Sequence, residues 1–171
     1  MARVMAPRES GTPGSVVPVL STFLFVIISV VPLQLPGFAA VSPSFALMAI
    51  YHWTVYRPDL LPRSAVFVLG LLLDLLTGMP YLGASALTLL IARTAVLMTR
   101  RHFVNRDFTV LWLGFLAVAA GVFIFSWALM GICAGRILDA RPIAFETALT
   151  VAAYPVGSYV LARLHRAFLR G

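Results

Sequence analysis

The chain contains no lysine: its thirteen basic residues are all arginine, set against six acidic ones. We read that absence as the codon usage of a GC-rich genome and not as a chemical choice. Charge of either sign is scarce, at 11% of 171 residues, while 61% are hydrophobic. Soluble domains run near 25% charged, so the ordinary soluble class is excluded. The one cysteine, Cys133, lies in an apolar run; it can form no internal disulfide, and nothing beside it would favour a thiolate. His52, His102, His165 and Cys133 are too scattered for metal-ligand spacing. No glycine-rich phosphate loop is present, and no Ser, His and acidic residues share a nucleophile motif. The sequence therefore calls for no enzyme activity, no metal and no cofactor.

What remains is apolar sequence, with a mean hydropathy of +0.96. The expected fold is all-α: a polytopic transmembrane bundle of six helices, over 16–35, 41–56, 64–76, 82–98, 108–133 and 142–164. Residues 1–15 read as a disordered cytoplasmic tail and 16–171 as a single transmembrane helical domain. The first apolar run exceeds the 7–15-residue core of a signal peptide, so it reads as a retained anchor. The third helix is short, reaching about 20 Å against a ~30 Å hydrocarbon core.

Arginine placement supports this parse. With the N-terminus inside, ten arginines (3, 8, 57, 63, 100, 101, 106, 163, 166 and 170) fall on the cytoplasmic side, and only Arg136 and Arg141 fall outside. Both termini are then cytoplasmic, by the positive-inside rule. The net charge of +7 marks topology and not nucleic-acid binding. The partner this composition implies is the lipid bilayer.

Asp74 carries the most information. It interrupts an apolar run, where a helix-centre carboxylate costs roughly 2.5–3.5 kcal/mol on insertion scales and so faces protein or water. Gly70, Asp74 and Gly78 recur every fourth residue, which places them near one helix face. Small residues there would let another helix approach, so the face reads as a packing or partner surface. Arg93, six residues from the inner end of its helix, is expected to snorkel toward the interface. It sits ~10 Å from Asp74 in depth, which disfavours a direct pair. Further small-residue spacings, Gly131/Gly135 and Ala153/Gly157 among them, fit close helix contact, with Pro155 a kink. His52, beside the aromatic group of Tyr51, Trp53 and Tyr56 near the charged end of its helix, reads as an interfacial residue and not a ligand. Few polar groups are expected to converge at the outer end, where loops 1–2 and 3–4 carry no charge.

The segment Gly70-Leu-Leu-Leu-Asp74-Leu-Leu-Thr-Gly78-Met-Pro80-Tyr-Leu-Gly83, preceded by Tyr51-His-Trp53 and Arg57-Pro58, resembles the MreD family of bacterial rod-shape-determining membrane proteins. The turn Pro80-Tyr-Leu-Gly83 is one residue longer than the Pro-Leu-Gly turn the family leads one to expect. The resemblance implies a non-enzymatic scaffold of the cell-wall elongation complex in the bacterial inner membrane. It implies MreC as partner, together with MreB, RodA and a class B transpeptidase. Gly70, Asp74, Gly78, Gly83 and Arg93 are the candidate packing or partner-binding residues. A distant similarity to the substrate-binding subunits of energy-coupling vitamin transporters gives the other reading, a small-molecule-binding transport subunit.

Overall fold

A computed structural model describes residues 16–31, 42–78, 81–100 and 107–169. The expected tail at 1–15 and most of the basic loop at 100–107 lie outside them. Among the described residues the protein is all-α, with no strand. The helices are α1 (Val16–Val30), α2 (Phe45–Tyr56), α3 (Arg63–Thr77), α4 (Ala84–Thr99), α5 (Phe108–Ala134) and α6 (Arg141–Leu169). A 3₁₀ turn, Pro58–Leu60, joins α2 to α3. One helix, α5, is long and apolar enough to cross a membrane unaided; α1 and α4 are apolar but shorter.

Alternate helices run in opposite directions. The C-terminal ends of α1, α3 and α5 and the N-terminal ends of α2, α4 and α6 meet around one cavity. The 3₁₀ turn, Tyr56, Phe108 and Tyr159 lie toward the opposite end.

The centre is α2, which packs against α1, α4, α5 and α6. Its ten residues from Ala46 to Val55 are all buried. That position follows from its sequence, Phe-Ala-Leu-Met-Ala-Ile-Tyr-His-Trp-Thr-Val-Tyr, which offers no polar face. The polar tips it does carry find partners on other helices. The Tyr51 hydroxyl donates to the Leu111 carbonyl at 3.0 Å, and the Trp53 indole donates to Ser21 Oγ at 2.9 Å. Tyr51 meets Phe115 edge-on, and Phe115 stacks on Tyr154 with ring centroids 4.2 Å apart. Tyr51, His52 and Trp53 are thus buried between helices, and only Tyr56 of that group is exposed.

By contrast, α5 is apolar all round yet buries one stripe: Leu111, Gly114, Phe115, Ala119, Val122 and Phe123. Such a helix belongs in a core or in lipid, and α5 is peripheral. Leu113, Leu116, Ile124 and Ile132 stand exposed on its outer side.

Candidate functional site

Asp74 lies in the last turn of α3 and is fully buried. Its carboxylate reaches across the α3–α4 turn, where Oδ2 accepts the Gly83 N–H at 2.7 Å and Oδ1 the Ser85 N–H at 3.0 Å. Helix N-termini leave their first N–H groups without intrahelical partners, and a carboxylate there also complements the helix dipole. Asp74 therefore caps α4 from a neighbouring helix. Its own backbone carbonyl accepts the N–H of Gly78 and so helps to close α3. One residue ends one helix and opens the next.

The three glycines around it have separate roles. Gly70 is a close approach: a Cβ there would lie 2.4 Å from Ala86 Cα and 2.8 Å from Ala86 N. The α3 and α4 backbones touch because that atom is missing. Gly78 meets nothing within 4 Å; it is the C-cap of α3 with φ +63°, a left-handed conformation that suits glycine. Gly83 is the N-cap of α4 with φ +96° and likewise meets nothing. Four-residue spacing put Gly70 and Gly78 on one packed face; close contact is made at Gly70, and Gly78 serves the turn. Gly83 stays outside α4, which starts two residues later than residue 82. Gly135 likewise caps α5 at φ +63°, whereas Gly157 does pack, with Met48 Sδ 2.9 Å from where its Cβ would be.

Arg93 does not snorkel into open water. It is buried on α4, where Nε donates to the Leu61 carbonyl at 3.1 Å and Nη2 to the Pro58 carbonyl at 3.3 Å. The guanidinium fork holds the α2–α3 turn from the side. Asp74 and Arg93 do not pair.

Sequence reasoning missed the cavity. It occupies about 550 Å³ between the helix ends and is lined by Ser29, Ser44, Thr77, Ser85, Ser126 and Glu146, with Leu73, Leu76 and Met130 among the apolar members. Polar groups do converge at this end, contrary to expectation. Each hydroxyl taken singly reads as a small residue tolerated near a helix end. The signal that could have found the site is their recurrence toward the same end of five helices, α1 to α5, with Glu146 supplied by the sixth.

Among the described residues, Asp74, Gly70, Gly83 and Arg93 thus organise the α2–α3–α4 unit, and the cavity sits beside its capped end. This arrangement offers backbone satisfaction and a small-molecule-sized space, with no nucleophile–base pair beside it. Comparison with curated proteins and with solved structures gives no match. The family model described as rod shape-determining protein MreD matches residues 12–149. That stretch holds α1 to α5, the opening turns of α6, and every residue of the Asp74–Arg93 unit, and the chain belongs to the rod shape-determining MreD family.

Proposed function

We propose that this member of a rod-shape-determining family acts as a non-enzymatic scaffold of the cell-wall elongation complex, spanning the bacterial inner membrane six times. The observation that carries the reading is the family match over 12–149. Its support is physical: an apolar exterior with Leu20, Val68, Leu75, Ile124 and Val156 each at least 60% exposed, more than water-facing helices tolerate as a continuous surface. Arg57, Arg63, Arg100, Arg163 and Arg166 sit at the end opposite the cavity, beside which lie Arg136 and Arg141. By the positive-inside rule the cavity then faces outward and both termini are cytoplasmic. The helices α1 to α4, of 15, 12, 15 and 16 residues, are shorter than a ~30 Å core requires, so the bilayer thins or flanking turns enter it. The partner in this reading is MreC, with MreB, RodA and a class B transpeptidase in the same assembly.

Depletion tests it. The expected result is rounded cells without a vitamin requirement, and co-purification of MreC with the tagged protein. Normal rods with a nutrient requirement would favour the second reading, a small-molecule-binding transport subunit, to which the cavity alone lends support.

A further inference from the structure

We infer that the cavity at the α1–α6 helix ends binds an organic ammonium, with Glu146 as its counter-ion. The inference rests on the chemistry of the lining and not on the scaffold reading. Glu146 projects into the cavity from α6 and is half-buried. Among the described residues its carboxylate has no hydrogen-bond or ion-pair partner. Among the described residues no basic side chain lines the space, and Arg136 and Arg141 are exposed. Glu146 is therefore the single ionisable group among the described residues of the lining.

The hydroxyls reinforce that preference. Ser29 Oγ donates to the Phe25 carbonyl, and Ser42 Oγ to the Ser29 carbonyl, both at 2.8 Å. Thr77 Oγ1 donates to Leu73 and Thr88 Oγ1 to Ala84, both at 2.7 Å. With those protons committed to backbone carbonyls, the hydroxyls can offer a ligand only oxygen lone pairs, one of which, on Ser29 Oγ, already accepts the Ala46 N–H at 3.0 Å. Ser44, Ser85 and Ser126 can turn either way. A lining dominated by acceptors selects a donor.

Two alternatives are weaker on the same observations. An anion would look to the helix N-termini at this end, but Asp74 takes the N–H groups of Gly83 and Ser85 at α4, the Thr150 and Ser29 hydroxyls take those of Ser44 and Ala46 at α2, and Asp139 takes that of Arg141 at α6. A divalent metal needs several carboxylates or imidazoles, and no group of three His, Cys, Asp or Glu side chains converges among the described residues. The volume, about 550 Å³, suits a small organic molecule. The apolar wall of Leu73, Leu76 and Met130 suits its carbon skeleton. The ammonium could belong to a soluble amine or to an ethanolamine lipid headgroup.

The test uses the full-length protein in detergent, with ethanolamine, putrescine and glucosamine as probes and ethylene glycol, butanediol and glucose as their neutral counterparts. At least one amine should raise the melting temperature saturably, and its neutral counterpart should not. Glu146→Gln should melt as wild type without ligand, since no partner is lost, and should bind that amine at least tenfold more weakly. Ser126→Leu, which narrows the cavity and keeps the charge, should also weaken binding. Reconstitution in phosphatidylglycerol vesicles, with or without phosphatidylethanolamine, separates the sources: a lipid ligand stabilises wild type but not Glu146→Gln, and only in the vesicles that contain phosphatidylethanolamine. The inference is overturned if neither the amines nor phosphatidylethanolamine stabilise the protein, if the neutral counterparts act equally, or if Glu146→Gln and Ser126→Leu leave binding unchanged.

Discussion

Replacing Asp74 should uncap α4, and the size of the effect follows from its two hydrogen bonds. Gly83 and Ser85 each give one N–H to a separate carboxylate oxygen, at 2.7 and 3.0 Å; Asp74 is fully buried and the two donor residues are half-buried. A hydrogen bond to a charged group contributes about 1.5–3 kcal/mol. Asp74→Leu removes both and leaves two half-buried donors unpaired, a loss of roughly 3–6 kcal/mol at most. Asp74→Asn is intermediate by geometry. Its one carbonyl oxygen keeps one N–H, while its amide nitrogen confronts the other, donor against donor, at a cost of about 2–4 kcal/mol. At roughly 2–4 °C per kcal/mol for a chain of this length, Asn should lower the melting temperature by roughly 5–15 °C, and Leu by more. Tryptophan fluorescence melts at a fixed scan rate in one detergent would measure this. Complementation of rod shape should follow the same order, substantial for Asn and lost for Leu, with membrane levels checked by blotting. Asn melting with wild type, or as low as Leu, would refute the two-oxygen cap. Full stability of Asn with complete loss of rod shape would point to an ionic role.

Four further predictions concern individual residues and the topology. Gly70→Ala should cost about 1–3 kcal/mol by overpacking, and Ala86→Gly should not rescue it, because the clash is with the Ala86 backbone; melting of the single and double variants would show this. Gly78→Ala should cost about 1–2 kcal/mol from left-handed strain alone, and Gly78→Asn should melt close to wild type. Arg93→Met leaves the Leu61 and Pro58 carbonyls without their donor and should lower stability by about 1–3 kcal/mol, with Arg93→Lys between, since an ammonium lacks the planar fork. Reporter fusions after Arg106 and at the C-terminus should behave as cytoplasmic, and one after Leu138 as periplasmic; the reverse at any position would overturn the topology.

The helices were largely legible because long apolar runs are punctuated by Pro, Gly and Arg, and the α3, α5 and α6 starts fall within one residue of expectation. Asp74 was legible as a residue but not as a cap. Its partners are backbone N–H groups nine and eleven positions away, and no residue type advertises them. The same holds for Arg93, whose acceptors are carbonyls 32 and 35 positions earlier. Periodicity placed Gly70 and Gly78 together because it assumes unbroken helix, whereas Gly78 is where the helix stops. Small-residue spacing marks both close packing and helix ends, and only coordinates separate Gly70 from Gly78, or Gly157 from Gly135.

The two buried charges have one physical logic with opposite signs. Away from water, backbone groups at a turn must find partners within the protein. At the start of α4 the orphans are N–H donors, and an acceptor, Asp74, meets them. At the α2–α3 turn they are carbonyls, and a donor, Arg93, meets those. Arg93 lies ten residues beyond Gly83, roughly 15 Å along the helix axis, so each charge answers its own turn and not the other charge. Separated sites without shared partners add within about 0.3–0.5 kcal/mol. A cycle of Asp74→Asn, Arg93→Met and the double variant should therefore give additive losses in melting temperature. If the charges were an ion pair, each single variant would leave an unpaired buried charge that the double variant removes. The double would then be distinctly less damaging than the sum. Rescue of more than about 1 kcal/mol would exclude the separate-turn account in favour of a pair.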